Sequence, residues 1–127
     1  MRQTVLAALL VPVLAAPAFA NCPPLPDRTA ELAELFDAAR AAPNAAAGQI
    51  LSRQMWEIWT APPDEAAGEL LNVGASALRV SDFLTAINTF DRLVAYCPTW
   101  AEGYNQRAFA YFLSGRYPQA RDDLERV

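Results

Sequence analysis

The sequence predicts an all-α fold of about six helices in antiparallel pairs, and three observations predict it. Apolar residues recur at the helical period in successive segments, each bounded by proline, glycine or a capping side chain. The second half of the chain repeats itself at a step of 34 residues, from Leu70 to Tyr104. A period of that length marks a stacked helical repeat. No run alternates apolar and polar residues over a stretch that would make a convincing strand.

Asn21 to Pro26 is proline-rich and reads as an extended lead-in. Asp27 or Thr29 caps a first helix that runs to about Ala42, with Leu32, Leu35, Phe36 and Ala39 on its apolar face. Pro43-Asn44 breaks it, and Asn44 is a good cap for a second helix from about Ala45 to Thr60. Leu51, Met55, Ile58 and Trp59 share one face there, with Trp56 on its shoulder. Aromatics at this spacing read as core; the alternative is a ligand-binding aromatic patch. Pro62-Pro63 closes the hairpin, and Asp64 opens a third helix to Arg79. Ser81 or Asp82 caps a fourth, which Pro98 ends after Tyr96. Thr99 and Glu102 form a capping-box pattern for a fifth helix, to about Ser114. Gly115 takes the left-handed position after it, and Pro118 suits the first turn of a sixth.

The repeat is specific in residue type as well as spacing. Leu70, Val73, Gly74, Ala77, Phe83, Ala86 and Phe90 map onto Tyr104, Arg107, Ala108, Tyr111, Tyr117, Ala120 and Leu124. Ser81 maps onto Gly115. Gly74, Ala108, Ala86 and Ala120 are small where two helices approach closely. Phe83 and Tyr117 are expected to fill the wedge between helices, and Phe90 and Leu124 to pack into the next layer.

Residues 1–20 read as a secretory signal peptide: Arg2, an apolar run from Val5 to Leu14, and Ala18-Phe19-Ala20 before a mature start at Asn21. The run is shorter than the roughly 20 residues a membrane span needs, which disfavours an uncleaved anchor. A lipoprotein at Cys22 is disfavoured because Asn21 is not small. In an oxidising compartment Cys22 and Cys97 allow one pairing, with two unpaired thiols as the alternative.

Every basic residue is arginine, histidine is absent, and the net charge is −4. That balance argues against nucleic acid and against a polybasic membrane contact after leader removal. With no histidine and no HEXXH, G-x-S-x-G or P-loop pattern, no catalytic residues, metal ligands or cofactor are expected. The carboxylates Asp64, Glu65, Asp122, Asp123 and Glu125 read as helix-start charges or a solvated face, with Asp122 and Arg126 spaced for an ion pair.

The pattern Leu70-x2-Val73-Gly74-x2-Ala77, Ala86-x3-Phe90, Pro98, followed by Tyr104-x2-Arg107-Ala108-x2-Tyr111 and Ala120-x3-Leu124, resembles the tetratricopeptide repeat. Arg107 stands where that family expects an apolar residue, and Ala77 where it expects an aromatic. The resemblance implies a right-handed superhelix of helix pairs. It implies a repeat over 64–98, a second, incomplete one over 99–127, and a divergent or capping hairpin over 27–63. It further implies a non-enzymatic adaptor or scaffold that holds a peptide or partner helix in a groove. The whole looks like small exported repeat proteins of Gram-negative bacteria, which places it in the periplasm.

Helical phase nominates Asn72 and Arg79, with Leu71 and Ala75, as groove residues on the third helix. On the fifth it nominates Asn105, Phe109, Phe112 and Leu113. The second reading is a carrier of a small apolar ligand, through Trp56 and Trp59 or through Phe109 and Phe112. The third, an enzyme using carboxylates, would lose activity in Asp122→Asn or Asp123→Asn. The sixth helix ends in Leu124 and Val127 with no polar cap. That favours a longer native chain, with self-association or a docked partner as alternatives.

Overall fold

The computed structural model describes residues 22–127; the expected leader and its cleavage site lie outside them. Six helices follow in order: α1 (Thr29–Arg40), α2 (Ala45–Thr60), α3 (Glu65–Arg79), α4 (Phe83–Tyr96), α5 (Ala101–Leu113) and α6 (Tyr117–Leu124). The described residues contain no strand, and the chain is all-α.

Three helix starts follow from side-chain chemistry. Asn44, Asp64 and Asp82 each accept a hydrogen bond from the backbone N–H three residues on, at 3.0, 2.8 and 3.1 Å. Each bond satisfies one donor that the first turn leaves without a partner. At α1, Asp27 accepts from the Thr29 N–H at 2.9 Å, and Thr29 is the first helical residue rather than the cap. The helix stops at Arg40, short of Ala42, because a residue before proline disfavours helical geometry.

The expected capping box at α5 does not form. Trp100 occupies the N-cap position and no side chain caps the helix. The Trp100 indole is buried in the core instead. Burying an indole is worth about 2 kcal/mol or more, which exceeds the roughly 1 kcal/mol of a side-chain cap. Glu102 turns to neighbours on its own helix.

The 34-residue period is visible atom by atom at two turns. Ser81 has φ 60° and Gly115 has φ 77°. The Ser81 N–H donates to the Leu78 carbonyl at 3.0 Å and the Asp82 N–H to Ala77 at 2.9 Å. Gly115 donates to Phe112 at 3.0 Å and Arg116 to Tyr111 at 2.8 Å. This is the same Schellman motif twice, with matching donors and acceptors. Only glycine adopts its backbone there without steric cost; Ser81 bears that cost in the first copy.

The core lies between α3 and α4 and continues onto α5. Phe90 is fully buried, and its ring lies where a side chain on Gly74 would be. A Cβ at Gly74 would sit 2.6 Å from Phe90 Cζ, a distance that real contacts do not reach. Phe90 thus fills the gap within its own helix pair. Leu93, also buried, faces Gly103 and links α4 to α5. The two wedge positions differ: Phe83 is half-buried, whereas Tyr117 is exposed and lies against Phe112, ring centroids 5.6 Å apart.

Arg107, which departs from the repeat pattern, ties three helices together. Its guanidinium donates to both Asp123 oxygens at 2.7 and 2.6 Å and to Asp91 at 2.8 Å. It also lies over the Tyr104 and Tyr111 rings, at 5.6 and 5.9 Å. The Asp123 carboxylate, bound bidentately, is the first cause that holds the Arg107 charge even more firmly than usual. Asp123 is therefore not on a solvated face; it is 4% exposed. The expected Asp122–Arg126 pair is replaced. Asp122 accepts from Arg121 at 3.1 Å, and Arg126 lies over the Tyr104 ring.

Residues 22–28 run as a non-helical lead-in. Cys22 and Cys97 are bonded, with S–S 2.06 Å and Cα atoms 5.1 Å apart, across a sequence separation of 75. The bridge fastens the lead-in to the residue that ends α4. The hairpin α1–α2 pairs with itself, and α2 leans on α5 rather than on α3. It therefore reaches the second helix pair across the chain, and no α1 residue is buried.

Two predictions follow from this packing. Cys22→Ser with Cys97→Ser lowers the free energy of unfolding in urea by about 4 kcal/mol, the value for closing so long a loop. Arg107→Leu strands a buried carboxylate and costs about 3 kcal/mol or more, while Arg107→Leu with Asp123→Leu recovers most of the loss in the same urea titration.

Candidate binding surface

The fifth helix presents two faces. Tyr104, Ala108 and Tyr111 point into the pair with α6 and its arginine network, and Gly103 faces α4. At the helical offsets of three and four, Asn105, Phe109, Phe112 and Leu113 form a second stripe. Phe109 is 50% and Phe112 56% exposed. Leu113 is exposed beside them, and Tyr117 extends the stripe through its contact with Phe112. Four of the groove residues nominated by sequence, Asn105, Phe109, Phe112 and Leu113, thus lie on one ridge.

Asn72 and Arg79 lie elsewhere. Asn72 is exposed in an open cleft of about 640 Å³ on α3, with Pro62, Asp64 and Ser76 among its walls. Arg79 donates to the Ser76 hydroxyl at 2.6 Å, and that hydroxyl donates to the Asn72 carbonyl at 2.7 Å. These two are joined through Ser76, apart from the aromatic ridge. Leu71 packs against the core and is half-buried, so it contributes little to a groove.

The aromatics of α2 are not core, contrary to expectation. Trp56 is 53% and Trp59 41% exposed; Met55 is the only buried residue of the helix. The physical reason is the partner. Alanine-rich α1 buries none of its own residues and offers α2 too little apolar bulk. The indoles stand at 89° to one another, centroids 5.4 Å apart, and Phe36 leans on Trp59 at 6.2 Å.

Where α2 meets α5, Trp56, Trp59, Ala101, Glu102, Asn105 and Val127 line a cleft of about 300 Å³. Glu102 is 7% exposed. Its carboxylate accepts from Asn105 Nδ2 at 3.0 Å and from Gln106 Nε2 at 2.6 Å. Glu102 was not legible as a site residue, because its spacing to Thr99 fits a cap. Among the described residues no cluster of histidine, cysteine or carboxylate is arranged to hold a metal ion. No helix among them is long and apolar enough to cross a membrane.

No protein-family model, curated protein or solved structure matches the chain.

The wall of the α3 cleft carries an acid-sensitive contact. Tyr96 donates its hydroxyl to Asp64 at 2.6 Å, joining the end of α4 to the start of α3. That bond first, and the cap to Ala67 second, hold the Asp64 carboxyl below the usual carboxylate range. A depressed folded pKa contributes stability above the unfolded value of about 3.9 and loses it as pH falls through the folded value. Tyr96→Phe is expected to flatten the decline of thermal midpoint below about pH 4, measured by circular dichroism, and to leave the slope between pH 5 and 8 unchanged.

Proposed function

We propose that this chain is a non-enzymatic protein–protein interaction module of the tetratricopeptide-repeat kind. It is exported to a bacterial periplasm, where it acts as adaptor or scaffold. The observation that carries this reading is the exposed aromatic ridge of α5, Phe109, Phe112 and Leu113, continued by Tyr117. Apolar side chains grouped on one helix face, when left in water, mark a surface that another molecule covers. A partner helix that lays its own apolar stripe along the ridge buries them at matching three- and four-residue offsets. An extended peptide can do the same and hydrogen-bond to Asn105. The duplicated Schellman turns support the repeat reading, and the Cys22–Cys97 disulfide supports export to an oxidising compartment.

A specific observation favours the second reading, a small-ligand carrier: the cleft beneath Trp56 and Trp59.

Photo-cross-linking separates the two. A benzophenone amino acid in place of Phe112 is expected to trap a protein in the envelope. The same probe at Val80, exposed on the α3–α4 turn, is expected to trap none. Phe109→Glu placed beside the Phe112 probe is expected to abolish the adduct without loss of helicity. A cross-link of equal yield at both positions refutes the ridge. An adduct of twice the chain mass identifies a second copy as the partner.

A further inference from the structure

The cleft between α2 and α5 has a chemistry that the protein-docking reading does not use. Its upper walls are two indoles set perpendicular to one another, at 89°. Glu102 lines it as well, nearly excluded from water. Two side-chain amides hold this carboxylate in place, yet none of the ion pairs among the described residues includes it. A carboxylate removed from water favours a positive partner. The free faces of tryptophan attract cations through the ring quadrupole.

We propose that Trp56, Trp59, Glu102 and Asn105 form a receptor for a compact alkylated ammonium ion. Each alternative class of ligand fits worse. An apolar molecule would displace water from Glu102 and give nothing back. An anion would meet the carboxylate. A hydrated metal ion needs several oxygen ligands, and this cleft offers one carboxylate and one amide. A methylated ammonium spreads its charge over its methyl groups and is weakly hydrated. It can rest against both indole faces and turn its charge toward Glu102. The cleft, about 300 Å³, has room for such an ion with a short polar tail that reaches Asn105.

The test uses the intact chain with its disulfide, choline chloride and tetramethylammonium chloride as probes, and tryptophan fluorescence as readout. Trp100 is buried and does not line the cleft, so the signal is assigned to Trp56 and Trp59 by repeating the titration in Trp100→Phe. Saturable quenching by choline is expected, with no saturable response to 3,3-dimethyl-1-butanol, its neutral isostere. Glu102→Gln is expected to weaken choline binding about tenfold or more, with circular dichroism confirming the fold. Equal binding of the neutral isostere overturns the proposal, as does absence of saturation by either ammonium salt. The isostere comparison needs no variant, so a misfolded Glu102→Gln does not decide it. Phosphatidylcholine vesicles distinguish the source of the cation. Co-sedimentation that choline competes away assigns it to a lipid headgroup, and choline binding without co-sedimentation assigns it to a free solute. Phe109 and Phe112 do not line the cleft, so the docking ridge stands or falls separately.

Discussion

The contact of Phe90 with Gly74 sets the dimensions of this molecule. A ring in the place of a side chain lets α3 and α4 approach closely, and the most deeply buried residues gather around it. From α4 the order propagates outward. Leu93 on Gly103 positions α5, Cys97 anchors the lead-in, and Trp100 fills the corner between the helices. The residues of α4 that hold this together, Phe90, Leu93 and Cys97, are also those with the least contact with water.

At the second helix pair an ionic interaction ties the helices together, at a position where the first pair has an exposed valine. Arg107 stands at the equivalent of Val73, and it binds carboxylates on the helices to either side. Such a network is geometrically demanding, because an unmatched charge at this depth is costly. It therefore holds α6 to α5 through a bidentate contact. The guanidinium also rests on Tyr104 and Tyr111, so the aromatic residues of α5 serve two ends. Those on the inner face steady the arginine, and those on the outer face remain available to a partner.

The exposed aromatics fall into two groups with different chemistry. Phe109, Phe112 and Tyr117 form a ridge without a charged member, suited to covering by another apolar face. Trp56 and Trp59 stand above a buried carboxylate and define a small, charged cleft. Both groups adjoin Asn105, which lies at the inner end of the ridge and on the wall of the cleft. The disulfide fastens the lead-in that precedes the α1–α2 hairpin to the end of α4.

The local features of this protein were legible in its sequence because they depend on neighbours a few residues apart. Asn44, Asp64 and Asp82 as helix starts, Gly115 as a left-handed stop, and the all-α class belong to that kind. The 34-residue period was legible too, and two turns at that spacing share the same hydrogen-bond pattern. Pairing of the two cysteines was readable as a possibility, and only the 5.1 Å approach of their Cα atoms decided it. The misreadings share one cause. Thr99 and Glu102 fit a cap, yet burial of Trp100 prevailed; Trp56 and Trp59 have core spacing, yet α1 is too thin to bury them; Asp123 resembles a surface charge, yet Arg107 draws it inside. Periodicity says which residues share a face, and tertiary structure alone decides what that face meets. The sequence by itself determined six helices and where they turn. The tertiary structure decided that α2 would lean on α5, because burial depends on the bulk of a partner that no local pattern encodes.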